Sequence, residues 1–216
     1  MLILASASPR RQELLRSACI PFVVQAADIE ERVRDGETPR ECAERLAREK
    51  AVAVSRSRPA DYILGADTIV VVDGNILGKP RDAADAARLL RMLSGRIHEV
   101  ITGVCVLGAV ARGQGPGASE SKAHTGPAAG GVDEKLAPGN RQLVSASEIT
   151  IVTMSELSDV DIRDYIATGE PMDKAGAYAI QGIASRWIPR IEGDYSNVVG
   201  LPVALAYRML REQGAL

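Results

Sequence analysis

The sequence predicts a mixed α/β domain, and three observations carry that prediction. Short apolar, β-branched runs alternate with amphipathic helical patterns along the chain. One of those runs closes on Asp73-Gly74, a strong hairpin signal, so the sheet mixes strand directions. The 216 residues are enough for one domain with a full core.

Each element follows from local chemistry. Leu2-Ile3-Leu4 is a strand that runs straight into Ser6-Ala7-Ser8-Pro9-Arg10-Arg11. Ser8 suits a helix N-cap and Pro9 the first helical position, whose N–H is unpaired in any helix. The helix then sets Leu14, Leu15 and Ala18 on one side. Two hydroxyls, unpaired N–H groups, a positive helix end and two guanidinium groups converge here on an anion site, best matched by phosphate. Phe22-Val23-Val24 reads as a short strand and Asp28-Ile29-Glu30-Glu31 as an acidic loop. Thr38-Pro39-Arg40-Glu41 is a capping box that opens a helix to about Ser57. Tyr62–Val72 and Asn75-Ile76-Leu77 form the hairpin, and Asp85–Leu93 is a helix with Ala86, Leu89, Leu90 and Leu93 on one face. Val100–Leu107 and Glu148–Met154 are strands. Asp159–Thr168 is a helix stopped by Gly169, and Pro202 opens a last one through Leu210. Between about 108 and 141 the chain is dominated by Gly, Ala, Ser and Pro, which predicts a flexible inserted loop within a single domain of residues 1–216.

Composition excludes several classes. A net charge of −2 with mixed signs offers no footprint for duplex nucleic acid or a membrane surface. One Trp, one Phe and five Tyr leave no stacking platform for single strands. No apolar run approaches a membrane span, and the N-terminus lacks the pattern of a signal peptide. Cys19, Cys42 and Cys105 are odd in number, widely spaced and in apolar contexts, so they read as reduced core thiols. No metal-ligand spacing joins them to His98 or His124. The expectation is a soluble cytoplasmic protein. Neither G-x-x-x-x-G-K-S/T nor G-x-G-x-x-G occurs, so a P-loop and a dinucleotide fingerprint are both unsupported.

Charges in apolar surroundings mark the candidate site. Lys50 falls within the stripe of Ala43, Leu46, Ala47 and Val54, where it must snorkel, pair with an acid or meet a phosphate. Asp67 is the one charge between Tyr62 and Val72 and must be paired, hold a cation or cap a loop at the strand's end. Perturbed carboxylates concentrate at active sites, which favours the functional reading. Lys79 sits in the turn Gly78-Lys79-Pro80, a signal that is weak alone. Local sequence does not distinguish Glu30 from Glu31. His98, Tyr178 and Trp187 read as structural, and Asp173-Lys174 as an ion pair or loop contact.

Taken together these segments resemble the Maf family of nucleoside triphosphate pyrophosphatases. The similarity runs through Ser6-Ala7-Ser8-Pro9-Arg10-Arg11, Leu46 to Ala51, Gly65-Ala66-Asp67-Thr68, Gly78-Lys79-Pro80, Leu93-Ser94-Gly95-Arg96 with His98, and Thr102-Gly103-Val104. It continues through Asp173 to Tyr178, Ile180-Gln181-Gly182 and Val198 to Pro202, leaving out about 108–141. The resemblance implies a Maf/inosine-triphosphatase-like fold, a mixed twisted sheet with flanking helices around a deep nucleotide cleft. It also implies a homodimer, a divalent cation (Mg²⁺ or Mn²⁺), and hydrolysis between the α and β phosphates. By motif it assigns Asp67 as catalytic carboxylate and Ser8, Arg11, Glu31, Lys50 and Lys79 to the triphosphate and metal, with Glu31 and Asp67 as metal ligands. Arg10, Thr68 and Gln181 match members acting on dTTP and UTP, where members acting on 7-methyl-GTP carry Trp, Gln and Glu. A Gln amide both donates to and accepts from a uracil-type edge, and dUTP is expected to fit as well. The alternatives are 7-methyl-GTP or a non-canonical purine triphosphate as substrate, or a nucleotide-binding regulator of cell division with little turnover.

Overall fold

The computed structural model describes residues 1–109, 133–137 and 141–216, with 133–137 as backbone only. Among them, eight strands form one mixed sheet. Strand β1 (Leu2–Leu4) lies parallel to β2 (Val23–Val24) on one side and to β3 (Tyr62–Val72) on the other. Beyond β3 come β5 (Ile97–Leu107) and β7 (Arg141–Thr153), each antiparallel to its neighbour. Strands β6 (Asp133–Ala137) and β8 (Arg190–Glu192) pair with β7, while β4 (Asn75–Leu77) folds back on the end of β3. The hairpin is the one Asp73-Gly74 predicts: both residues have positive φ, 48° and 76°.

One irregularity of this sheet makes room for a site. Along the edge of β3 away from β5, β1 pairs with 62–64 and β4 with 70–72. Among the described residues no strand lies beside 65–69 there, and a cleft opens at the gap.

Among the described residues, six α-helices flank the sheet: α1 (Pro9–Ser17), α2 (Pro39–Ser55), α3 (Ala83–Leu93), α4 (Asp159–Ala167), α5 (Tyr195–Val199) and α6 (Val203–Glu212). The Thr38 capping box is present, with Glu41 N–H on the Thr38 hydroxyl at 3.3 Å and Thr38 N–H on Glu41 Oε2 at 2.9 Å. Helix α6 covers one sheet face, where Leu205, Ala206, Met209 and Leu210 join Leu4, Leu64, Ala66, Val104 and Val106 in the core.

Helix α2 lies against the other face far closer than side chains ordinarily permit. A Cβ on Gly65 would stand 2.2 Å from the Ala47 carbonyl oxygen, and one on Gly103 2.2 Å from that of Ala43. Gly103 is in register with Asp67, and Gly65 lies two residues before it, so all three point to the α2 face. The glycines therefore seat the helix that carries Lys50 directly over the strand that carries Asp67.

Several expectations are corrected. Ser8 occupies the N-cap position without a side-chain cap bond, and its N–H donates to Ser6 Oγ at 3.2 Å in a local turn. Ala18 ends α1 and is exposed. Cys19 is exposed too, in a left-handed conformation with φ 54°, so only Cys42 and Cys105 are core thiols. Helix α2 stops at Ser55, and α3 starts earlier than Asp85 because Asp82 caps it. Within the segment expected as a loop, residues 133–137 form β6. The remainder of that loop, 110–132 and 138–140, lies outside the described residues. The segment's stem is fixed by Arg141, 3 % exposed, whose guanidinium donates to the carbonyls of Gly108, Arg58 and Asp61. Among the described residues no helix is long and apolar enough to cross a membrane.

Two outcomes follow from this packing. Gly65→Ala is expected to lower stability by about 2–3 kcal/mol, because backbone rather than a flexible side chain must yield; urea unfolding measures it. Deleting residues 112–140 removes β6 at the sheet edge beyond β7, so the thermal midpoint is expected to fall while nucleotide hydrolysis stays nearly unchanged; a large loss of hydrolysis would instead assign the segment to the cleft.

Candidate active site

The gap beside β3 is the floor of a cleft of about 690 Å³. The Ser6–Arg11 turn lines it from the end of β1, Gly78-Lys79 from the end of β4, and the 173–181 and 198–200 loops from the side. Of the residues singled out in the sequence, Ser8, Arg10, Arg11, Glu31, Lys50, Asp67, Thr68, Lys79 and Gln181 all reach this one cleft.

Strand alternation splits the site between the two faces of β3. On the α2 face, Lys50 Nζ lies 2.5 Å from Asp67 Oδ1 and 2.6 Å from Glu31 Oε1, and both Lys50 and Asp67 are buried. Lys79 Nζ reaches the other oxygen of Glu31 at 3.2 Å. Of the alternatives open for Lys50, pairing with acid is the one observed. Glu31 is thereby distinguished from Glu30, which pairs with exposed Arg32 outside the cluster. Burial alone would raise the Glu31 carboxyl, but hydrogen bonds and charge from Lys50 and Lys79 outweigh it and hold the pKa at about 2. The Glu31 carboxylate thus stays charged across the neutral range. Asp67 Oδ2 has no partner among the described residues and remains available to a ligand.

On the opposite face Arg11 is buried, and its own protein groups engage it. Its Nε donates to the Gly200 carbonyl at 2.7 Å, Nη1 to Ser6 Oγ at 3.1 Å and Nη2 to Thr68 Oγ1 at 3.0 Å. One N–H on each terminal nitrogen is left for the cleft. Burial lowers the Arg11 pKa while Asp67 and Glu31 oppose that shift. Thr68 Oγ1 is 2.9 Å from the buried Thr102 hydroxyl, which donates to the Asn197 carbonyl at 3.2 Å. Thr68 Oγ1 also lies 3.3 Å from the Gly200 carbonyl, so the paired Thr68 and Thr102 hydroxyls share two carbonyl acceptors, Gly200 and Asn197, behind the Arg11 guanidinium.

At the rim, Arg10 faces Asp173 at 3.5 Å, and Asp173 pairs with Lys174 at 2.5 Å. Gln181 is exposed, and its amide has no hydrogen-bond partner among the described residues. Tyr178 is both core and cleft wall; its hydroxyl meets His98 Nε2 at 2.8 Å, with His98 only 2 % exposed. Sequence reasoning missed Thr102 and Asn197 as supports of Thr68. A lone hydroxyl in the β-branched run Val100–Leu107 was an available signal for Thr102; Asn197 gave none.

Fold and site together define a mixed α/β protein with a cleft that has cationic side chains at both walls and carries a buried lysine–carboxylate cluster. The chain belongs to the Maf family, whose model, described as Maf-like protein, matches residues 1–213. Its relatives include a protein of Koribacter versatilis (strain Ellin345), 52% identical over 215 residues that make up 100% of this chain and 95% of that protein. Another, from Symbiobacterium thermophilum, is 48% identical over 99% of this chain and 94% of its own. A third, from Geotalea uraniireducens (strain Rf4), is 46% identical over 100% and 96%. All three are named dTTP/UTP pyrophosphatase.

The His98 environment gives a pH signature. Burial lowers its pKa from 6.5 to about 4, so the unfolded chain binds a proton that the folded chain refuses between those values. Stability is therefore expected to fall as pH drops from 6.5 to 4, by up to about 3 kcal/mol, and to be level above 6.5 on this account. His98→Gln should flatten that slope in urea titrations.

Proposed function

We propose that this protein hydrolyses dTTP and UTP, and dUTP with them, to the monophosphate and pyrophosphate. The observation that carries the reading is the Glu31–Lys50–Asp67 cluster at the gap in the sheet. A buried carboxylate with one oxygen on an ammonium and the other open to the cleft is suited to orient a water and take its proton. The names of relatives that align over nearly the whole chain support the substrate class.

The residues divide the work. Asp67 Oδ2 aligns the water for in-line attack on the α-phosphorus, and Lys50 holds Oδ1 so that the carboxylate cannot rotate away. Lys50, Lys79 and the two remaining N–H groups of Arg11 face the negative charge that shifts toward the leaving pyrophosphate. Ser8, with no cap bond to make, offers its hydroxyl to a phosphate oxygen. Arg10, Thr68 and Gln181 face the base, with the Gln181 amide free to donate and accept.

A divalent cation fits this donor set. Among the described residues no three His, Cys, Asp or Glu side chains cluster closely enough to hold a metal alone. Glu31 and Asp67, however, share one ammonium at the cleft, and two carboxylates together with substrate phosphates and water are the hard oxygen set of Mg²⁺ or Mn²⁺. When bound, such an ion neutralises charge on the phosphates.

A nucleotide panel with Mg²⁺, Mn²⁺ or no metal tests the reading. Metal-dependent pyrophosphate release is expected to be fastest on dTTP and UTP; preference for 7-methyl-GTP would overturn the base assignment. Asp67→Asn is expected to cost at least about 10²-fold in kcat, and wild-type turnover in that variant would remove Asp67 from the mechanism.

A further inference from the structure

The Gln181 amide is the most exposed of the three base-facing groups, and it directly follows the buried run Ala177-Tyr178-Ala179-Ile180. Beyond that apolar anchorage, the backbone on either side of Gln181 is fixed by a carboxylate outside the cleft lining. Glu170, at the start of the short 3₁₀ turn Glu170–Asp173 that follows α4, accepts the Ile183 N–H on both oxygens, at 3.1 and 3.2 Å. Its Oε1 also accepts the Tyr165 hydroxyl at 2.8 Å, and that hydroxyl accepts the Ala179 N–H at 3.3 Å. Two backbone N–H groups, two residues before Gln181 and two after it, therefore hang from one Tyr165–Glu170 pair. Tyr165 is fully buried and packs edge-on against Trp187 with ring centres 5.4 Å apart, so the pair is anchored in the core.

Gly182 records the same contact in its own way. Its φ of −106° is open to any residue, so backbone conformation does not require glycine there. Space does: a Cβ would lie 2.3 Å from Glu170 Oε1 and 2.6 Å from Oε2. The glycine beside Gln181 exists because the carboxylate occupies the place of its side chain.

We propose that Glu170 is a positioning residue for nucleotide selection, acting through the backbone at Ala179 and Ile183 to fix where the Gln181 amide meets the base. The inference rests on the reading that Gln181 faces the base of a nucleotide. Removing the carboxylate frees the loop and leaves the Lys50–Asp67 cluster untouched, so the effect falls on KM and selectivity rather than on kcat.

The test is steady-state hydrolysis of UTP and CTP by wild type, Glu170→Ala and Glu170→Gln. Glu170→Ala is expected to lower the UTP-over-CTP ratio of kcat/KM about tenfold, the size of one neutral hydrogen bond lost from register. The change should lie in KM for UTP, and Glu170→Gln, which keeps an acceptor for both donors, should restore most of it. An unchanged ratio in Glu170→Ala, or an equal fall in kcat on every nucleotide, would overturn the proposal. Should Glu170→Ala fail to fold, Gly182→Ala, whose Cβ displaces the same carboxylate, supplies the same readouts. A wild-type protein without preference for UTP would sink the base assignment instead. Amide hydrogen exchange over 179–183 then decides the role of Glu170: faster exchange in Glu170→Ala with recovery in Glu170→Gln supports it, and unaltered exchange overturns it.

Discussion

Everything at the cleft depends on how near helix α2 comes to the sheet. Two glycines on neighbouring strands, Gly65 and Gly103, let helix carbonyls rest where Cβ atoms would otherwise stand. That approach sets the depth of Lys50 and hence its contact with Asp67 at 2.5 Å. A lysine so deep is costly unless its charge is met, and a carboxylate in a strand interior is costly for the same reason. Each supplies what the other lacks, and Glu31 completes the balance from the cleft side.

The division of labour between adjacent residues of β3 follows from pleating alone. Asp67 points toward α2 and Thr68 away from it, so one dipeptide serves two chemistries without their competing for space. The lysine–carboxylate cluster, which acts on the phosphates, sits on one face. The paired Thr68 and Thr102 hydroxyls behind Arg11 sit on the other and connect the cleft to the buried Asn197. Such a split works only where the strand's edge is open to both faces, which is what the gap between β1 and β4 provides.

Much of this was legible in the sequence because it rests on local rules. The hairpin at Asp73-Gly74, the Thr38 capping box and the misplaced charges Lys50 and Asp67 each break or obey a periodicity that can be counted. What escaped was non-local. The choice of Glu31 over Glu30 depends on a loop folding back to a helix that begins several residues later. The commitment of Arg11 to Thr68 and Gly200 needs contacts from far along the chain, which local chemistry does not supply. The apolar-poor stretch read as a loop contains a strand because β7 offers an unpaired edge, and pairing there needs backbone rather than side chains.

Arg141 has a consequence for how this chain tolerates length. By tying the start of β7 to Gly108 and to the approach of β3, it makes the two ends of the intervening segment fixed points of the fold. The entropy of closing a chain between fixed ends grows only with the logarithm of its length. Outside the five residues of β6, chain length between these ends therefore carries only a weak entropic weight in the folding equilibrium. The far edge of the sheet is thus where added chain length costs this fold least.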